Sequence, residues 1–231
     1  MSRNIAILLA AGSGKRMGSN TPKQFLLLDG KTILEHTVGT FNSHPQIDEI
    51  AIVTSQEFLQ QTEQLTRAYK KVRKILIGGK ERSDSSMVAI ANYPNDDDNL
   101  LIHDAVRPLV TAQTITACIE QLRTFQAVEV AIPTIDTIVQ ADPSQPFVQA
   151  VLDRTQLWNV QTPQGFRRKI IHQAYRLAQA DPDFRATDDA GVVLRYCPEV
   201  PIGIVEGERT NIKITHPMDL VLAEQILASR K

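Results

Sequence analysis

Three cations gather at one glycine turn within nine positions of the chain: Lys15, Arg16 and Lys23, set in Ala10-Ala11-Gly12-Ser13-Gly14-Lys15-Arg16-Met17-Gly18 and Pro22-Lys23-Gln24. Gly12 and Gly14 lack a Cβ, so backbone N–H groups can close on an anion there. The charge exceeds what a tight turn needs and suits a triphosphate. Two familiar phosphate loops do not fit. A Walker loop needs Ser or Thr after its Gly-Lys, but Arg16 follows Gly14-Lys15, and Leu9 stands where its first Gly belongs. The dinucleotide fingerprint needs Gly or Ala where this chain has Met17. Taken alone, the loop also reads as an ordinary glycine turn with solvated lysines.

Asp104 is the second candidate, in Ile102-His103-Asp104-Ala105-Val106-Arg107-Pro108. A carboxylate at a strand end beside a triphosphate is a natural Mg²⁺ ligand, because Mg²⁺ takes one or two carboxylates plus phosphate oxygens. Alone, Asp104 reads as a helix cap or a partner of Arg107; beside the glycine loop, the metal reading is preferred. His103 reads as structural. Arg154 and Lys213 by themselves read as exposed or in surface ion pairs, and Gly78-Gly79 as a turn. Asp96-Asp97-Asp98 reads as a solvated acidic loop, since consecutive residues do not easily face one ion. No Ser/His/Asp or Cys/His set suggests a nucleophile.

The elements that must position these groups alternate. Ile5 to Leu9 is a continuous apolar run stopped by glycine, which suits a buried strand of a parallel sheet. Thr32-Ile33-Leu34-Glu35 predicts a capping box opening a helix that Pro45 ends. Strands are expected at 49–54, 72–77, 100–103 and 128–133, with helices at 58–69, 83–91 and 111–125 between them. Such alternation predicts an α/β fold, a mostly parallel twisted sheet with helices on both faces. Ligands of such sheets bind beyond the carboxyl ends of the strands, and Gly12, Gly79 and Asp104 all follow or end a strand. The stretch 134–164 breaks the pattern. Ile135, Thr137, Ile138 and Val139 precede Asp142-Pro143-Ser144-Gln145-Pro146, and Phe147, Val148, Ala150, Val151 and Leu152 return. This predicts a β-hairpin arm packed either on a second subunit or over its own domain. Helices are expected at 168–180 and 188–195, strands at 202–205 and 212–214, and a last helix capped by Thr215 with Pro217 in its first turn.

With 231 residues, 42% of them hydrophobic and 22% charged, the chain is expected to form one domain over 1–231. A net charge of −1 argues against non-specific nucleic-acid binding. Cys118 and Cys197 form no metal-ligand spacing and read as reduced thiols of a cytoplasmic protein. The first apolar run is too short to span a membrane, and Gly-Ser-Gly-Lys-Arg follows it where a signal peptide would have its cleavage site.

The motifs together resemble sugar-phosphate nucleotidyltransferases, and most closely the 2-C-methyl-D-erythritol 4-phosphate cytidylyltransferases of non-mevalonate isoprenoid synthesis. The likeness runs nearly end to end. It takes in the first loop, Gly78-Gly79-Lys80-Glu81-Arg82, the 103–108 segment and Asp153-Arg154-Thr155-Gln156-Leu157-Trp158. It continues through Gln161-Thr162-Pro163-Gln164-Gly165-Phe166, Thr187-Asp188-Asp189-Ala190 and Asn211-Ile212-Lys213-Ile214-Thr215. The resemblance implies that Ala10, Ala11, Gly12, Gly14, Gly79, Ser85, Asp104 and Ala105 bind CTP. Arg16 and Lys23, with Lys15, would stabilise the transition state, and Asp104 would serve Mg²⁺. Arg154 and Lys213 would position methylerythritol phosphate, and Arg107, Thr137, Thr162 and Thr187 would belong to the same substrate site. It further implies a homodimer whose 134–164 arm completes the neighbour's site. Val106 stands where the family often has Ala, and Asp189 where it has Glu. Val106 is shared with the sister ribitol-5-phosphate cytidylyltransferases, so that acceptor is the first alternative. A non-catalytic nucleotide-binding module is the second. The Asp-Arg-x-x-Leu-Trp segment favours methylerythritol phosphate.

Overall fold

The structure is a computed structural model that describes residues 2–12 and 21–230. Gly14, Lys15 and Arg16 lie outside the described residues. Strands β1 (Asn4–Leu9), β4 (Glu49–Thr54), β5 (Val72–Ile77), β6 (Asn99–Asp104), β7 (Ala127–Pro133), β10 (Trp158–Arg167) and β11 (Ile202–Glu206) form one sheet in the order β11-β7-β10-β6-β1-β4-β5. All its pairings are parallel except those of β10, which runs antiparallel to both β6 and β7. The small ribbons β2 (Leu27–Leu28) with β3 (Lys31–Thr32), and β8 (Val139–Asp142) with β9 (Gln145–Val151), stand apart from it.

The continuous apolar run of β1 follows from burial on both faces. Ile5, Ile7 and Leu9 join a core with residues of α3 (Arg82–Ala91), α5 (Arg168–Gln179) and α6 (Asp189–Tyr196). Ala6, Leu8 and Ala10 join a second core with α1 (Ile33–Ser43) and α4 (Ala112–Gln121). The period of two sends alternate side chains to opposite layers, and both layers are helical. A third cluster packs Leu28, Ile33 and Val106 against Ile214 and α7 (Pro217–Ser229). Between β4 and β5 runs the polar α2 (Leu59–Thr66).

The predicted capping box is present: Thr32 Oγ1 accepts the Glu35 N–H, and a Glu35 carboxylate oxygen accepts the Thr32 N–H. Other expectations are corrected. Residues 212–214 form no strand: Ile214 is buried in the third cluster with Ile212 packed against it, and Ile214 N–H bonds Val106 O at 2.9 Å. The last helix is capped by His216, not Thr215, with Pro217 in its first turn. The helix after Thr111 ends at Gln121, four residues short of the expected Phe125. Asp98 is not solvated; it is fully buried and accepts from Arg3 Nη2 at 2.6 Å. Strand β10 was not foreseen at all. Its pairing with β7 carries a register shift between Val160 and Gln164, which spans the cis Thr162–Pro163 bond.

Because β10 runs against its neighbours, its first half reaches the end of the sheet where β6 finishes. His103 locks the two together. Its Nε2 lies 3.1 Å from Arg107 O and its Nδ1 2.9 Å from Thr162 Oγ1. A carbonyl only accepts, so Nε2 carries the proton, Nδ1 accepts from the Thr162 hydroxyl, and the ring is neutral. Thr162 Oγ1 in turn accepts the Asp104 N–H at 3.2 Å. Burial pushes the His103 imidazolium down to about 4, against the opposing pull of Asp104. A base depressed in the folded state binds its proton only on unfolding. Stability is therefore fully present above the unfolded value near 6.5 and falls as pH drops towards about 4. This dependence is on the order of 3 kcal/mol. Urea unfolding of the wild type and His103→Asn from pH 7 to pH 4 checks it: the variant should be less stable at pH 7 and show a shallower loss across that window.

Candidate functional site

Two adjoining clefts open at the carboxyl ends of the parallel strands. The first is lined by Leu9 to Gly12 after β1, Lys23 and Gln24, Gly79 to Arg82 with Ser85, and by Asp104, Val106 and Lys213. The second is lined chiefly by Arg107, Glu129, Thr162, Gln164, Thr187 and Asp188, and shares Arg82, Asp104 and Lys213 with the first.

The first cleft lies between β1 and β6, whose following connections run to opposite sides of the sheet, that of β1 towards β4 and that of β6 towards β7. Such switch points are the usual crevices of α/β sheets. Gln24, almost fully buried, donates its amide to Ala10 O at 2.7 Å and to Gly12 O at 3.2 Å. The amide thus fixes the start of the glycine loop and brings the neighbouring Lys23 to the cleft. On the far side, α3 packs so closely that a Cβ on Gly78 would lie 2.6 Å from Ser85 Oγ, and one on Gly79 2.2 Å from Asp84 Cβ. These glycines are what allow the N-terminus of α3 to approach the loop.

Asp104 joins the two clefts. Arg82 Nε reaches its Oδ1 at 3.1 Å and Lys213 Nζ its Oδ2 at 2.7 Å. Arg82 Nη1 also reaches Asp189 Oδ2 at 2.6 Å, and Tyr175 donates its hydroxyl to Asp189 Oδ1 at 2.6 Å. Burial would raise Asp104, but the charges of Arg82, Lys213 and Arg107 outweigh it and hold the carboxyl well below the usual range. Asp104 is therefore an anion throughout the physiological range. Among the described residues no group of three or more His, Cys, Asp or Glu could hold a metal by itself. One ionised carboxylate nevertheless fits Mg²⁺ when phosphate oxygens complete the shell.

The other expected residues fall into three places. Arg107, Thr162, Thr187 and Lys213 line the second cleft. Arg107 Nη1 donates to Asn211 O at 2.8 Å and Nη2 to Val160 O at 3.3 Å, and its Nε is buried without a partner. Ala105 lies behind the clefts and lines neither of them. It is fully buried, its N–H donates to Leu9 O, and its carbonyl accepts from Thr37 Oγ1. Thr137 and Arg154 are exposed and line neither cleft; Arg154 Nη1 donates to Ile135 O at 3.3 Å.

The reading of the sequence assigned no role to Arg82, Gln24, Gln164 or Glu129. Arg82 gave no signal beyond its place in Lys80-Glu81-Arg82. Glu129 did give one: it is the single charged residue in the strand Ala-Val-Glu-Val-Ala-Ile-Pro. A desolvated charge there needs a partner or a purpose.

Two neighbouring clefts that share one carboxylate and two cations are the arrangement of a transferase for two anionic substrates, a glycine-lined one and an acceptor. The comparisons define it further. Residues 4–229 match the family model IspD, 2-C-methyl-D-erythritol 4-phosphate cytidylyltransferase. A Thermobifida fusca protein named 2-C-methyl-D-erythritol 4-phosphate cytidylyltransferase is 49% identical, with 97% of this chain and 93% of that protein covered. The bifunctional ribulose 5-phosphate reductase/CDP-ribitol pyrophosphorylase Bcs1 of Haemophilus influenzae is 41% identical over 99% of this chain and 49% of that protein. The crystal structure of the 4-diphosphocytidyl-2C-methyl-D-erythritol synthase of Anaerococcus prevotii superposes with a TM-score of 0.87 at 29% identity, covering 98% of this chain and 96% of that one. The chain belongs to the 2-C-methyl-D-erythritol 4-phosphate cytidylyltransferase family, and is thus a nucleotidyltransferase enzyme.

Arg82 offsets two buried carboxylates at once, and losing one partner of a buried pair costs about 3 kcal/mol or more. Arg82→Met should therefore lower the urea midpoint markedly, and Arg82→Met with Asp189→Asn should recover part of the loss. Equal and additive losses from the two substitutions would show that the pair is not coupled.

Proposed function

We propose that this protein transfers the cytidylyl group of CTP to 2-C-methyl-D-erythritol 4-phosphate, releasing pyrophosphate. The observation that carries the reading is the pair of clefts meeting at Asp104, Arg82 and Lys213. CTP occupies the first cleft, held by Ala10 to Gly12, Gly79 and Ser85. The acceptor phosphate occupies the second, met by Lys213, Arg107, Thr162 and Thr187. An oxygen of that phosphate attacks the α-phosphorus of CTP in line. The bond from the α-phosphorus to the bridging oxygen breaks, and pyrophosphate leaves with the electron pair. The attacking oxygen is already an anion near neutral pH, so no base is required. The difficulty is to bring two polyanions together and to stabilise charge on the equatorial and leaving oxygens. Lys23 does this from the wall of the first cleft, with Lys15 and Arg16 from residues outside those described. Asp104 would hold Mg²⁺, which when bound would supply positive charge against the triphosphate.

The protein acts as a single cytoplasmic domain over 1–231 and as a homodimer through its 134–164 arm. Supporting the dimer, among the described residues the β8–β9 ribbon pairs only with itself and leaves Phe147, Val148 and Val151 57%, 58% and 66% exposed. An apolar surface of this kind is a docking surface for protein. Arg154 and Thr137, which line neither cleft of their own chain, then serve the acceptor phosphate of the neighbour. Supporting the cytoplasmic reading, both cysteines are free and buried, and no described helix is long and apolar enough to cross a membrane.

Pyrophosphate release tests the reaction. It is expected with CTP, Mg²⁺ and methylerythritol phosphate, and should vanish with EDTA. Turnover with D-ribitol 5-phosphate alone would reassign the acceptor, a rival that the Haemophilus relative motivates. Equal turnover of ATP would overturn the cytidylyl assignment. Mixed dimers test the arm. Arg154→Ala and Lys23→Ala should each be nearly inactive, and mixing the two chains should restore activity, because one site of each mixed dimer then carries neither defect. If Arg154 served its own subunit, every site would carry one defect and mixing would restore nothing.

A further inference from the structure

Lys213, Arg107, Thr162 and Thr187 address the acceptor's phosphate. A sugar-alcohol phosphate also has a hydroxylated end, and the second cleft carries residues suited to it. Val128 and Val130 of β7 point into the core shared with α4, so Glu129 between them faces the other layer, beneath the start of α6. There it meets Gln164, its register partner on β10. Gln164 is fully buried. Its Nε2 donates to Glu129 Oε1 at 2.5 Å and to Asp188 Oδ2 at 2.6 Å, while its Oε1 accepts from the N–H groups of Asp189 and Ala190 at 3.0 and 3.3 Å. The amide is fully spent on structure. It clamps two carboxyl groups side by side in the cleft wall, with Asp188 Oδ1 accepting the Gly191 N–H of α6 at 3.0 Å.

We propose that Glu129 and Asp188, clamped by Gln164, are the residues that read the hydroxyl groups of the acceptor and so set which polyol phosphate the second cleft takes. The inference rests on the acceptor reading given above. The clamp occupies one oxygen of each carboxyl group with the same amide, which fixes both groups beside the cleft space. Other lining residues of that cleft include the cations Arg82, Arg107 and Lys213 around the Asp104 carboxylate, the hydroxyls of Thr162 and Thr187, and the apolar Val160 and Leu194. A cleft with cations and a carboxyl pair among its lining residues matches a ligand that is anionic at one end and hydroxylated at the other. Hydroxyls both donate and accept. Burial, together with the hydrogen bond and the charge of Asp188, pushes Glu129 up to about 8, with Gln164 opposing. Glu129 is thus a neutral carboxylic acid at neutral pH, and it offers a donor as well as an acceptor without adding negative charge beside a phosphate dianion. Glu129 and Asp188 act here as specificity residues; they do not touch the reacting atoms.

The test uses the whole protein and three probes: methylerythritol phosphate, ribitol 5-phosphate, and methyl phosphate, which has the anion without hydroxyls. Calorimetry and steady-state kinetics are run on the wild type, Glu129→Gln and Asp188→Asn. Asparagine keeps the helix cap, so Asp188→Asn gives the reading should Glu129→Gln fail to fold. The expected result is a weakening of polyol-phosphate binding by about 10- to 100-fold, the scale for losing one hydrogen bond to a charged group. The acceptor KM should rise more than kcat falls, the ratio of the two polyol phosphates should change, and methyl phosphate and CTP affinities should hold within about twofold. Unchanged polyol binding, or an equal loss for methyl phosphate or CTP as a purely structural clamp would give, overturns the inference. A wild type that binds a polyol phosphate but releases no pyrophosphate would overturn the proposed reaction and leave this inference standing. A wild type that binds no polyol phosphate overturns the inference directly.

Discussion

A buried carboxylate held between two cations governs this structure. Asp104 ends the central strand β6, and it is kept ionised at small exposure by Arg82 and Lys213. Taking such charges out of water is costly, and mutual attraction offsets the cost only when the geometry is tight and the remaining polar groups are met. That requirement reaches far along the chain. Arg82 is anchored behind by Asp189, and Asp189 by Tyr175 on α5. Lys213 comes from a segment fastened by Ile214 to Val106, and Asn211 donates to Thr162 O. Elements from the start, middle and end of the sequence are thereby fixed around one pair of oxygens.

Neutral amides do the finer work around this charged centre. Gln24 ties the glycine loop to the segment that carries Lys23, and Gln164 ties β7 and β10 to the first turn of α6. An amide suits both posts because it donates and accepts at once and adds no charge to a site already rich in it. His103, held neutral by burial, is a third strut of this kind, joining the 104–108 turn to β10.

Much of this was legible in the sequence, for physical reasons. The β1 run is apolar because two helical layers cover it, and glycines mark where backbone must approach closely; both leave plain traces. Asp104 was legible because a carboxylate after an apolar strand contrasts with its surroundings. Strand β10 was not, since Val-Gln-Thr-Pro-Gln-Gly has neither a clear period of two nor an apolar run, although six residues in a row are buried there, and Pro argues against a central strand. The register shift at that point is what lets the sheet tolerate it. Ile212 to Ile214 failed in the other direction: alternation predicted a strand, but among the described residues the segment joins no sheet, and the Ile214 N–H bonds Val106 O instead. Arg82 was hidden because its worth depends on Asp189, 107 positions away. Within the 134–164 segment the hairpin itself was legible and is the β8–β9 ribbon, but residues 158–164 belong to β10 of the central sheet.

The antiparallel course of β10 has a consequence for how such enzymes diversify. The connection between β7 and β10 leaves and re-enters the sheet at the same end, so the excursion from 134 to 157 can change in length or sequence without altering the order of any strand. The glycine-lined cleft is built mainly from the first half of the chain, and the other cleft mainly from the second half, with Arg82, Asp104 and Lys213 as the seam. Inheritance can therefore rewrite one half while the other is conserved in place. A lineage could exchange its acceptor by drift in the strands and loops beyond residue 127 while its hold on the nucleotide stays intact.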